Sequence, residues 1–339
     1  MSDADYRFVD RWRVRGALEE VAAVLSDAEA MARWWPSTYL AIRTLAPGGP
    51  EGVGQVGLVH AKGWLPYEIR FLYRVTDADP PNGFGLDAVG DLTGRGEWAL
   101  RQDGPDVAVT YTWAVHSDKP LLRRLSWLLK PIFASNHRWT MRQGEASLKL
   151  ELARRQAATT AERAAVPAPP GPVGRLPAWW RTAVERLAVL RTRVEAVVPG
   201  DVERVWAFVA DPANDLRWQP EIRELAITSA GPLAAGSTFR EVRVTAGHRL
   251  AWDMVITERM PGRRIAIESL RGTVPYRGWR DVAAAPEGAA GVPGLATRIV
   301  EAGEARLPVW LWPLKGRIRR ASERATTEAY RALARMLAG

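Results

Sequence analysis

The 339-residue chain contains no cysteine. Disulfides, thiolate nucleophiles, zinc ribbons and iron–sulfur clusters are excluded together. Histidine is scarce, and His60, His116, His137 and His248 stand far apart without the spacing of metal ligands, so neither a metal nor a cofactor is expected. No apolar run approaches 18 residues, which argues against a membrane-spanning helix. The first ten residues, MSDADYRFVD, are acidic and lack an apolar signal region, so a cytoplasmic location is expected. There is no Gly-x-x-x-x-Gly-Lys-Ser/Thr phosphate loop, no His-Glu-x-x-His and no Gly-x-Ser-x-Gly.

What is present reads as globular: 47% hydrophobic and 25% charged residues support real cores, and the length suits two domains of about 150 residues. The net charge of +9 is uneven. Residues 1–155 hold 20 basic against 19 acidic side chains, whereas residues 304–339 alone hold 8 against 3. The basicity belongs mostly to the end of the chain. Neither a zinc finger nor an RNP-type strand accompanies it, so nucleic acid is not an expected partner.

Phe133 to Arg155 carries an unbroken helical pattern, with His137, Met141, Leu148 and Leu152 on one stripe. Most of what precedes it reads as strands: Tyr6 to Val14, Tyr39 to Leu45, Gln55 to Lys62, Tyr67 to Val75, Phe84 to Val89, Gly94 to Arg101 and Val107 to His116. Short helices are predicted at Leu18 to Leu25 and Glu29 to Trp34. In the first strand Phe8, Trp12 and Val14 share a face with Asp10 among them. Residues 156–175 lose apolar periodicity and gain Pro, Gly and Ala, the mark of a linker. An amphipathic piece, Pro177 to Leu190, is expected to rest on a domain surface through Trp179 or Trp180.

The second half repeats this plan. Glu20-Val21 through Arg33-Trp34-Trp35-Pro36 matches Arg204-Val205 through Arg217-Trp218-Gln219-Pro220 at a constant offset of 184, and Ser26-Asp27 matches Ala210-Asp211. Gly94-Arg95-Gly96 aligns with Tyr276-Arg277-Gly278 at an offset of 182. A second long helix is predicted from Leu314 to Leu337, with Ile318, Ala325, Ala329, Ala332 and Met336 on one face. Its approach at 307–317 echoes the approach to the first helix at 120–131.

In this order of elements, with Val205-Trp206, Asp211-Pro212 and Trp218-Gln219-Pro220 in the second copy, the chain resembles the START-like, helix-grip superfamily (SRPBCC), which contains polyketide cyclase/dehydrase-like proteins. The first copy carries the weaker counterparts Val21-Ala22, Asp27-Ala28 and Trp34-Trp35-Pro36. The likeness spans about residues 6–155 and 190–338. It implies an α+β fold of two helix-grip domains, 1–155 and 190–339, each a curved antiparallel β-sheet wrapped around a long C-terminal α-helix. It also implies an apolar cavity between sheet and helix, a hydrophobic small-molecule ligand, and polyketide cyclase or aromatase activity in some members. The tandem layout is similar to that of didomain aromatase/cyclases, although none of their catalytic motifs maps onto this chain.

Within that frame His137, Tyr73 and Arg95 are the catalytic candidates. An imidazole exchanges protons near neutral pH, a phenol offers one hydroxyl inside an apolar site, and an arginine holds a carboxylate or enolate. Ligand-binding candidates are Trp12, His60, Tyr67, Phe71, Tyr73, Tyr111, Trp113, His137 and Met141 in the first copy and Trp252, Met254, Arg277 and Tyr330 in the second. Ordinary packing, or a solvated hairpin edge for the arginines, is the competing reading of each. Trp127 and Trp310 to Trp312, mixed with Arg and Lys, suit peripheral membrane contact. Two further readings follow: a non-catalytic lipid or sterol carrier docking through its basic end, and a pair in which the second domain has lost its cavity.

Overall fold

The computed structural model describes residues 6–117, 126–174, 177–245, 247–286, 288–289 and 295–338. Two compact units divide the chain, Met1–Arg175 and Leu176–Gly339. Part of the approach to the first long helix, and the Trp127 side chain, lie outside the described residues. Among the described residues no helix is long and apolar enough to cross a membrane.

In the first unit β1 (Tyr6–Arg15) leads through α1 (Leu18–Ser26) and α2 (Ala28–Trp34) into β2 (Tyr39–Ala46), β3 (Val56–Lys62), β4 (Glu68–Asp79), β5 (Gly83–Gly90), β6 (Leu92–Asp103) and β7 (Asp106–Ser117). Helix α3 (Ser126–Gln156) follows. The seven strands form one sheet in the order β1-β7-β6-β5-β4-β3-β2, and its paired strands are antiparallel. Register shifts in β2/β3 and β4/β5 add local bend and twist. Met141, Leu148 and Leu152 of α3 are buried in the cluster that holds Trp12, Trp34, Trp35 and Trp98. Gly144 permits this fit: a Cβ there would stand 2.3 Å from the Trp35 ring.

The short helix α4 (Thr160–Ala165) closes the first unit, and α5 (Ala178–Ala188) opens the second. Then come β8 (Val189–Pro199), α6 (Val202–Val209), a 3-10 turn at Pro212–Arg217, and β9 (Ile222–Ile227), β10 (Thr238–Thr245), β11 (His248–Met260), β12 (Arg264–Gly272), β13 (Tyr276–Ala284) and β14 (Ala296–Arg306). A 3-10 segment, Val309–Leu314, leads into α7 (Lys315–Ala338). The sheet order β8-β14-β13-β12-β11-β10-β9 repeats that of the first unit strand for strand.

The recurring aspartate has a local cause. Asp27 accepts from the Ala30 N–H at 3.0 Å and starts α2, and Asp211 accepts from Ala213 N–H at 2.9 Å and starts the 3-10 turn. Two expectations differ from the structure. The buried centre of α7 is Ala329, Tyr330 and Leu333, because a face anchored on alanines left out its two large members. Trp179 and Trp180 are exposed, since α5 rests on its unit through its other face and Ala188.

Candidate functional site

The first unit holds a partly open cavity of about 570 Å³ between the sheet, α1 and α2. No described residue of the long helix α3 lines it, so the main space is not the one expected between sheet and C-terminal helix. Its walls are Met31, Tyr39, Ile42, Phe71, Tyr73, Val75, Phe84, Leu86, Trp98, Tyr111 and Trp113, with Pro80 and Pro81 at one end. A smaller cavity of about 160 Å³ lies beside it, lined by Tyr67, Ile69, Asp91, Phe133, Asn136, His137, Thr140 and Met141. Tyr39, Phe71, Tyr111 and Trp113 line both, so these aromatic side chains form the wall that the two spaces share. That wall is held by stacking, Tyr111 on Trp98 at 4.2 Å and on Trp113 at 5.9 Å.

Strand alternation supplies the walls. Ile69, Phe71, Tyr73 and Val75 come from successive inward positions of β4, and Trp98 faces Tyr111 across the β6/β7 ladder. The Tyr73 ring lies over its ladder partner Gly57, where a Cβ would come within 2.3 Å of it. The Tyr73 hydroxyl is fully buried, with the Thr44 side chain as its polar neighbour and no hydrogen bond of good geometry among the described residues. Burial pushes the Tyr39, Tyr67 and Tyr73 phenols up to about 12, and the Tyr111 phenol is also raised by burial. All four are therefore neutral hydroxyls at physiological pH, suited to hydrogen-bonding a ligand oxygen rather than to acting as phenolates.

The polar groups gather at the smaller cavity. His137 Nε2 meets the Asp10 carboxylate at 2.6 Å, with both side chains largely buried, and the imidazole stacks on Phe8 at 4.0 Å. If the Nε2 proton is assigned to this bond, Nδ1 is the basic nitrogen. Asn136 Oδ1 accepts from Leu65 N–H at 3.3 Å. Trp35 Nε1 and Thr38 Oγ1, on residues lining this cavity, are buried with no hydrogen-bond partner among the described residues.

The structure brings together Tyr67, Phe71, Tyr73, Tyr111, Trp113, His137 and Met141 around these two cavities. Trp12 sits just behind, edge-on to Trp35 and Trp98, and lines neither. His60 is directed elsewhere. Val59 and Ala61 take the inward positions of β3, and His60 meets Glu68 at 2.7 Å on the other face. Both faces of this strand carry apolar residues, so alternation alone chose the wrong parity. Arg95 pairs with Asp77 at 2.7 Å and Arg277 with Glu304, both on exposed sheet surface and lining neither these two cavities nor the small space in the second unit. Asp10, Tyr39, Thr38 and Asn136 escaped the sequence reading. Asp10 carried a signal, because a carboxylate within an apolar alternation requires a buried partner.

The second unit is built differently at the same place. Trp252 and Met254 line a space of only about 70 Å³, together with Asp215, Glu241, Arg243, Tyr276, Arg280 and Glu301. Arg280 bonds Asp215 through both terminal nitrogens at 3.0 and 2.9 Å and Glu301 through Nε at 2.8 Å. Tyr330 donates to Glu301 at 2.6 Å, so its hydroxyl is committed to this network, and Arg243 bonds Glu241 at 2.8 Å. Burial pushes the Asp215 carboxyl up to about 6 against the pull of Arg280, whereas Glu301 is held low because Arg280 and Tyr330 outweigh its burial. At the offset of 182, Arg280 stands where the first unit has Trp98, and its ladder partner Glu301 stands where the first unit has Tyr111.

Among the described residues no group of three or more histidine or acidic side chains could share a metal ion. No protein of curated function matches the sequence. Among solved structures, the chain is similar to the di-domain ARO/CYC BexL from the BE-7585A biosynthetic pathway at 12% identity and a TM-score of 0.37, covering 96% of this chain and 97% of that one. The Zhui aromatase/cyclase from Streptomyces sp. R1128 matches at 16% identity and a TM-score of 0.36, over 45% of this chain and 96% of its own. The protein TTHA0849 from Thermus thermophilus matches at 20% identity and a TM-score of 0.37, over 43% of this chain and 96% of its own. The sequence profile described as "Polyketide cyclase / dehydrase and lipid transport" matches residues 7–153 and again 190–339. With that profile spanning both halves of a twice-repeated sheet-and-helix plan, the chain belongs to the polyketide cyclase/dehydrase and lipid transport family.

Proposed function

We infer that the first unit is a receptor for an extended, ring-bearing hydrophobic molecule of polyketide type, and that the second unit is not. The observation that carries this reading is the cavity of about 570 Å³ walled by aromatic and aliphatic side chains. That volume falls in the range of small-molecule sites, and the 70 Å³ of the second unit does not. A ligand that fills the larger space and parts the shared wall of Tyr39, Phe71, Tyr111 and Trp113 would bring its far end to His137, Asn136 and Thr38. An oxygen-bearing terminus fits there, because buried polar groups without partners are costly until something bonds them.

The test uses the environment-sensitive dye 1-anilinonaphthalene-8-sulfonate as the probe. Leu86→Trp projects a large side chain into the cavity from a half-buried position and should abolish saturable dye binding while the fold is retained. Undiminished binding by that variant would remove the first-unit cavity from consideration.

A cyclase version is favoured by the His137–Asp10 pair at the inner end. Nδ1 takes a proton from a carbon flanked by two carbonyls, and Asp10 stabilises the imidazolium that forms. The apolar walls hold the chain folded and keep water from the resulting carbanion. His137→Asn and Asp10→Asn should each retain dye binding and lose turnover of a poly-β-ketone thioester. Turnover kept in both variants sinks this version and leaves binding without catalysis.

A further inference from the structure

The second unit carries an apolar surface that its own core leaves uncovered. Trp179, Trp180 and Leu187 of α5 are 70%, 45% and 52% exposed. On a helix these three positions fall within one arc of about 100°. The 3-10 segment Val309–Leu314 adds Val309 and Trp310, 66% and 71% exposed, and Leu314. The two pieces adjoin, since Lys315 Nζ at the end of that segment donates to the Arg186 and Leu187 carbonyls at 2.6 and 3.4 Å. Trp312 in the same segment turns back and donates to the Leu307 carbonyl at 3.0 Å. Trp310 is thus held outward by an anchored turn.

The segments that carry these side chains are unevenly charged. Residues 177–188 and 306–320 contain Arg181, Arg186, Arg306, Lys315, Arg317, Arg319 and Arg320 against the single acid Glu185. Arg317, Arg319 and Arg320 are exposed, and no ion pair among the described residues engages them. A nucleic acid would meet the charge and leave Val309, Leu187 and Leu314 in water. A bilayer with anionic headgroups meets both features. Indoles settle at headgroup depth, short aliphatic side chains reach the acyl boundary, and each nearby cation adds attraction.

We propose that this face of the second unit docks on an anionic lipid bilayer, with Trp179, Trp180 and Trp310 entering the interface and Arg317, Arg319 and Arg320 contacting headgroups. The assignment is independent of what fills the first-unit cavity. It is tested by co-sedimentation of the full chain with phosphatidylcholine vesicles made with and without phosphatidylserine. Two variants are compared, Trp179→Ala/Trp310→Ala and Arg317→Glu/Arg319→Glu/Arg320→Glu, and circular dichroism verifies their fold. The wild type should bind the phosphatidylserine vesicles and not the neutral ones, less so at high salt. Each basic residue near the surface is worth about fivefold, so the triple reversal should lower partitioning by about a hundredfold or more. The tryptophan variant should lose at least tenfold, roughly the effect of removing buried indole area from the interface. Equal sedimentation with both vesicle types overturns the proposal, as does unchanged binding in either variant. A chain that self-associates through Trp310, or that RNA competes off the vesicles, overturns it as well.

Discussion

Trp98 and Arg280 occupy one ladder position in two copies of one sheet, and on the proposed reading this exchange separates a ligand-holding interior from a filled one. Stacked rings leave room above them for another ring. A guanidinium bonded to two carboxylates fills its space and satisfies its donors. Removing Arg280 would strand Asp215 and Glu301 in the core, and Arg280→Ala should destabilise the second unit by about 3–5 kcal/mol in urea unfolding. The pH dependence has a definite sign. Asp215 titrates at about 6 when folded and near the ordinary aspartate value of about 3.9 when unfolded. Its contribution to stability is therefore full below about pH 4 and is lost as pH rises through 6. The stability of wild type relative to Asp215→Asn should fall across that window, and a flat or rising difference would contradict the assignment. Gly57 gives a prediction in the first unit. Gly57→Ala must displace the Tyr73 ring, which lies within 2.3 Å of the added methyl, and dye affinity should drop at least tenfold, about the effect of a misplaced wall residue.

Helix α3 and its counterpart α7 show what the sequence could and could not reveal. The stripe of Met141, Leu148 and Leu152 was legible because large apolar residues recur at helical spacing, and its burial follows. The strands of the first sheet were legible through period-two alternation and their turn residues. The partner of Asp10 was not, because 127 residues separate it from His137 and only the pairing of β1 with β7 and the laying of α3 across β1 join them. The charge network of the second unit was equally hidden. Asp215, Arg280 and Glu301 are ordinary charged residues in sequence, and their burial depends on which face of β13 and β14 closes inward. Gly144 illustrates a local rule overridden by packing. Alanine is better than glycine inside a helix by about 1 kcal/mol, yet Gly144→Ala meets Trp35 at 2.3 Å and should lower the thermal midpoint. A raised midpoint would show that Trp35 yields without loss.

For the molecule as a whole, duplication has produced two units with one strand order and different interiors. One keeps about 570 Å³ of apolar space with neutral phenols around it, and the other holds about 70 Å³ among paired charges. The family assignment covers both units, but the capacity to take a hydrophobic ligand is assigned to one. Native mass spectrometry of the full chain tests this asymmetry most directly, comparing wild type with Leu86→Trp and with Ile267→Trp, which places the same bulk in the second unit. One hydrophobic ligand per chain is expected, lost in Leu86→Trp and retained in Ile267→Trp. Two ligands per chain, or loss only in Ile267→Trp, would contradict the asymmetry.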